Sequence, residues 1–103
     1  MSIVVLFAAL FSIGLYGVLA RRDIIGVLAS VEVMLGSATV LLVGLGSTLG
    51  PEQLVAPPAA VPAIGLLVLV VVAAEASVGL ALMVAVARRV GTTRIDELTE
   101  VKG

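Results

Sequence analysis

Hydrophobic residues follow one another along most of this chain without the two-residue alternation of a half-buried strand or the one-sided stripe of a soluble helix. Charged residues cut this apolar sequence into three runs. Ile3 to Ala20 carries no charge, and as a helix it reaches about 27 Å, close to the roughly 30 Å of bilayer hydrocarbon. Ile24 to Gly46 carries a single charge, Glu32, and the run from about Val61 to Ala87 carries a single charge, Glu75. The third run extends about 40 Å as a helix, so it tilts or projects beyond the lipid. The pattern predicts an all-α membrane protein with one domain over residues 1–103. Its transmembrane helices are expected at about 3–20, 24–46 and 61–87, with a polar tail at 88–103. Barrel strands fit poorly, because the runs are too long and do not alternate.

The connections suit helices. Arg21, Arg22 and Asp23 make a tight turn, with Asp23 placed to cap the second helix. Ser47 to Ala60 contains Gly50, Pro51, Pro57 and Pro58 and reads as a loop. Pro62 fits the opening turn of the third helix, and Arg88 and Arg89 are expected to stop that helix at the interface. Arg21, Arg22, Arg88, Arg89, Arg94 and Lys102 are all the basic residues of the chain. With three spans they all fall on one side, so the positive-inside rule puts the carboxyl terminus in the cytoplasm and the amino terminus outside. A cleaved signal peptide is the poorer reading of the first run, which lacks a basic amino end and is followed at once by two arginines.

Composition narrows the chemistry. Apolar residues make up 61% of the 103 positions and only 13% are charged, more apolar side chain than a soluble domain of this size can hide. There is no Cys and no His, which removes disulfides, thiol nucleophiles, imidazole catalysis and the usual metal ligands. A net charge of −1 argues against nucleic acid. No catalytic residue and no metal site are expected.

Two carboxyls remain to be explained. From the ends of their predicted helices Glu32 lies about 12 Å deep and Glu75 about 18 Å, a difference of about 6 Å. Each ionisable residue at mid-span costs about 2.5–3.5 kcal/mol to insert, so two are retained only with a use or a partner. Hydrocarbon favours the neutral acid, which can release a proton that its carboxylate then takes back. The plainer alternative is a protonated glutamate that merely glues helices together. Both residues stand in Glu-x-x-x-Gly, with Gly36 after Glu32 and Gly79 after Glu75. A glycine on the same face leaves a notch that takes either water or a packed helix. Thr39 shares the Glu32 face and extends a polar path. Ser30, Ser37 and Ser77 point elsewhere and are expected either to be small packing residues or to bond back to their own helices. The small-residue row Ala73, Ser77, Ala81, Ala85 suits contact with another helix. Trp is absent, and with few interfacial anchors the chain looks like part of a larger assembly.

Arg21-Arg22-Asp23-Ile-Ile, Ser30-Val-Glu32-Val-Met34-Leu35 and Ala73-Ala-Glu75-Ala-Ser-Val-Gly79-Leu-Ala-Leu together resemble the K subunit of bacterial NADH–quinone oxidoreductase, the small membrane subunit of respiratory complex I. The resemblance runs from about Leu10 to Arg89. It implies a multi-pass subunit of the bacterial inner membrane, set in a hetero-oligomer beside other hydrophobic membrane-arm subunits. No cofactor is implied for this chain; the assembly would use NADH or a related donor, flavin, iron–sulfur clusters and quinone. The family's two intramembrane glutamates fall on Glu32 and Glu75, where they imply a proton pathway, and its paired loop arginines fall on Arg21 and Arg22. Those arginines either support the pathway from the cytoplasmic turn or serve topology and anchoring alone. The family commonly has Asn where Asp23, Gly36 and Thr39 stand here, so the path beside Glu32 is less polar. Related subunits occur in multisubunit Na+/H+ antiporters and membrane-bound hydrogenases, which are the alternative functions.

Overall fold

The computed structural model describes residues 2–50, 52, 57 and 59–98. Much of the proline-rich connection, with Pro51 and Pro58, and the end of the tail, with Lys102, lie outside these residues. Three long helices follow in order: α1 (Ser2–Ala20), α2 (Ile24–Thr48) and α3 (Ala60–Val90), and a single helical turn, α4 (Ile95–Leu98), closes the described chain. All three long helices are long and apolar enough to cross a membrane.

Local chemistry sets the helix ends. Asp23 stands in extended conformation before α2, and its carboxylate accepts the Gly26 N–H at 2.8 Å, the capping expected of it. α3 does not stop at Arg88 and Arg89. It continues through them to Val90 and ends where Gly91 takes a left-handed conformation, φ 79°, and donates its N–H to Ala87. Arginine is a good helix former whose long stem carries the charge to water, so it marks an interface without breaking a helix. The left-handed glycine is what ends it.

The helices lie side by side with α2 in the middle, packed against both α1 and α3. The molecule measures 60 × 24 × 15 Å, and since one helix with its side chains is about 10–12 Å across, it is a slab one helix thick. Among the described residues no hydrophobic side chain is buried, and the buried polar ones are Ser37 and Thr39, 1% and 7% exposed. A soluble protein inverts this arrangement; here apolar surface has lipid or other subunits for solvent. Glycines make the helix contacts close. Gly14 of α1 sits against Met34 and the Ser30 carbonyl of α2, and Ile3 sits against Gly44.

The tail is more than a polar extension. Beyond Gly91 it returns to the α1–α2 turn, where Asp23 and Arg94 form an antiparallel bridge. Ile24 N–H donates to the Thr93 carbonyl at 3.0 Å, and Ile95 N–H donates to the Arg22 carbonyl at 2.7 Å. Arg94 pairs with Asp96 at 3.0 Å and with Glu97 at 3.3 Å, while the Thr92 hydroxyl bonds Glu97. The hydrogen bond from Arg94 holds the Asp96 carboxyl below the usual carboxylate range, and the same pairing raises Arg94.

Candidate functional site

Glu32 comes from α2 and Glu75 from α3, and three contacts show how these helices pass. Leu28 lies against Gly79, Val43 against Gly65 and Val61 against Gly46. Their closeness depends on glycine: a Cβ at Gly79 would stand 3.0 Å from Leu28 Cδ1, and one at Gly65 would stand 2.5 Å from Val43 Cγ2. The sequence numbers of these pairs rise along α2 as they fall along α3, which is an antiparallel register. Glu32 is four residues past Leu28, and Glu75 is four residues before Gly79. The two glutamates therefore stand at one level, to within about one residue's rise of 1.5 Å.

The depth difference of about 6 Å expected from the helix ends does not hold. That figure treated Ala87 as level with Ile24. In the register of these contacts Ile24 is level with Met83, and α3 runs on to Val90. It overhangs the start of α2 by about 10 Å.

Level is not contact. Glu32 shares a helix face with Leu28, Leu35, Thr39 and Gly46, the stripe turned toward α3, and is partly buried. Glu75 is exposed and lines a groove of about 460 Å³ with Val71, Val78, Gly79 and Leu82. Leu69, about 120° around α3 from Glu75 by helical phase, lines a separate cavity of about 690 Å³ over α2, with Gly36, Thr39 and Val40. The groove and the cavity share no lining residue, and Glu32 lines neither of them. Among the described residues neither carboxyl has a hydrogen bond or an ion pair.

The neighbours differ. Gly79 packs against Leu28, whereas a Cβ at Gly36 would meet nothing within 4 Å. Gly36 is no packing glycine within this chain; it leaves an open notch beside Glu32. The Thr39 hydroxyl donates to the Leu35 carbonyl at 3.0 Å, so it offers the Glu32 face an acceptor rather than a donor. Ser30, Ser37 and Ser77 bond back to the carbonyls of Gly26, Met34 and Ala73. Ala73, Ser77, Ala81 and Ala85 are all exposed, so this small-residue row touches no helix of its own chain closely enough to be covered. Arg21 and Arg22 are exposed at the turn, where the Arg21 stem lies against Gly26. Thr93 and Ile95, which with Arg94 tie the tail to that turn, escaped the reading of the sequence, and Arg94 entered it only as a charge. Their signal was faint: Thr93-x-x-Asp96 has the form of a helix-start box in a tail otherwise read only for charge.

The family described as NADH-ubiquinone/plastoquinone oxidoreductase chain 4L matches residues 2–103 of this sequence. The chain belongs to that family. Membership and the three long apolar helices together make this chain 4L relative a multi-pass membrane protein. Among similar proteins, NADH-quinone oxidoreductase subunit 11 of Thermus thermophilus is 42% identical over 103 residues, covering 100% of both chains. NADH-quinone oxidoreductase subunit K 1 of Syntrophobacter fumaroxidans is 36% identical over 99 residues, covering 96% of this chain and 92% of its own. Subunit K of Desulfitobacterium hafniense is 41% identical over 99 residues, covering 92% and 86%.

Proposed function

We propose that this chain is a membrane-arm subunit of a proton-translocating NADH–quinone oxidoreductase, and that Glu32 and Glu75 carry protons in that enzyme. The observation that supports the reading is the pair itself. Two carboxyls stand at one level on neighbouring helices, Glu32 on the stripe turned toward α3 and Glu75 in the outer groove of α3, and neither is bonded among the described residues. Carboxyls that served only as glue would hydrogen-bond an adjacent helix. These two are offered to neighbours instead: Glu75 to whatever fills the outer groove of α3, Glu32 to the open notch at Gly36.

Electron transfer from NADH to quinone belongs to other subunits, with their flavin and iron–sulfur clusters; this sequence has neither Cys nor His to contribute. Its part is a proton relay across the slab. A proton taken by one glutamate passes through transient water at the seam to the other, and the neighbouring subunits supply the next titratable group on either side. Conformational and electrostatic changes begun at the quinone drive the exchange, because they alter which of the two sites better tolerates a charge. Arg21 and Arg22 stand at the cytoplasmic turn, which sets the amino terminus outside. The Na+/H+ antiporter and hydrogenase alternatives have less support, since the relatives above all carry NADH-quinone oxidoreductase names.

Conservative replacement tests the role. Glu32→Gln and Glu75→Gln keep size and polarity but remove titration, and are expected to lower proton pumping. Glu→Asp at either position should keep more of it. Normal pumping in both Gln variants, with the assembly intact, rejects the proposal.

A further inference from the structure

We infer that the returning tail is a positioning strap, which holds α3 at the height where Glu75 is level with Glu32. The inference rests on the proton-carrying reading only for its functional consequence; the strap itself is argued from geometry.

The α2–α3 seam is a weak ruler. Its close contacts are made by Gly46, Gly65 and Gly79 against single apolar side chains, and apolar contacts in a membrane resist sliding little, because lipid tails replace them at small cost. Something more directional must select this register. α3 overhangs the start of α2 by about 10 Å. Past the left-handed Gly91, the segment from Thr92 to Arg94 comes back over that gap, a distance that three extended residues at about 3.3 Å each can just span. At the far end it is bonded to the turn in both directions, Ile24 N–H to the Thr93 carbonyl and Ile95 N–H to the Arg22 carbonyl. A segment of that length, anchored at the end of α3 and at the start of α2, limits how far α3 can slide past α2.

The two donors have a common character. Ile24 is the first residue of α2, and Ile95 is the first residue of α4. An amide at that position has no partner within its own helix. Each helix start therefore borrows a carbonyl from the segment preceding the other, and the bridge uses amides that the helices leave spare. Arg94, paired with Asp96 and Glu97, stiffens the tail side, while Asp23 fixes the turn side through its bond to Gly26 N–H. Ile24, Arg22, Thr93 and Ile95 thus act on the glutamates through the level of α3, without touching them.

Proline provides a clean break. It is tolerated at the first position of a helix and has no N–H to donate, and Asp23 before Ile24 is already extended, as a residue before proline should be. The test uses the intact enzyme in its native membrane with Leu28→Cys and Gly79→Cys in this chain, which has no other Cys. The disulfide yield between them reads the register. Ile24→Pro with Ile95→Pro is expected to lose most of that cross-link and to lower the protons pumped per NADH oxidised. Ile24→Ala with Ile95→Ala keeps both N–H groups and should behave as the parent. An unchanged cross-link in the double proline variant overturns the strap, whatever its pumping. An unchanged pumping ratio with the cross-link lost overturns instead the functional consequence, and with it the need for level glutamates. Failure of the Glu→Gln variants to affect pumping would touch only the proton reading.

Discussion

A single methylene decides much in this molecule. Gly14 and Gly36 look alike in sequence, each a glycine within an apolar helix, yet a Cβ at Gly14 would lie 2.5 Å from Met34 Cγ and 2.9 Å from the Ser30 carbonyl, and one at Gly36 would meet nothing within 4 Å. Gly14→Ala is therefore expected to push α1 off α2 and destabilise the pair by about 1–3 kcal/mol, measured as a fall in thermal stability of the assembly. Gly36→Ala should leave that stability unchanged, because the notch has room for a methyl group. Which glycine packs was not legible in the sequence. Both stand within an uninterrupted apolar helix, and only the rotation of the helices against one another separates a contact from an opening. The glutamates themselves were legible, since a carboxyl in a long apolar run costs too much to pass unnoticed.

The helices were legible as elements for the same reason that their ends were less so. Uninterrupted apolar runs of bilayer length leave little choice but helix, whereas the stop of α3 depends on Gly91 adopting a left-handed conformation, three residues past the first of the two arginines that seemed to end it. The difference matters, because the extra length of α3 is what gives the overhang and puts Glu75 level with Glu32. The strap was invisible for another reason: its bonds are backbone to backbone, and no side-chain pattern announces them. Its charge cluster has a pH signature. The Arg94 hydrogen bond holds Asp96 below the usual carboxylate range, helped by the charges of Arg94 and Arg22; Glu97 shares Arg94 on the other side. A lowered carboxyl contributes its stabilisation above the ordinary carboxylate range and loses it as pH falls through the lowered value. Amide exchange protection at Ile24 and Ile95 should therefore be steady near neutrality and weaken only below about pH 4. Weakening between pH 7 and about 5 would assign the strap's stability to another group.

At the scale of the whole molecule, the slab accounts for the rest. Three helices in one layer leave both faces apolar and uncovered, with no buried hydrophobic residue among those described. Such a chain completes its packing against lipid and other subunits, which agrees with its family. The orientation proposed from charge, with the amino terminus outside, can be checked directly: Thr92→Cys should react with an impermeant maleimide only from the cytoplasmic side, and labelling from outside would invert the topology. The layer bears on the proposed crossing as well: Glu75 opens into the outer groove of α3 while Glu32 lies on the stripe turned toward α3, so a relay of the kind proposed would run through the α2–α3 seam. Protons translocated per NADH oxidised, measured in sealed inverted vesicles with all subunits present, test that crossing most directly. Glu32→Gln and Glu75→Gln should each lower the ratio, and their combination should lower it no further than the worse of the two, because they interrupt one route. A ratio equal to the parent's in the doubly substituted enzyme would contradict the account.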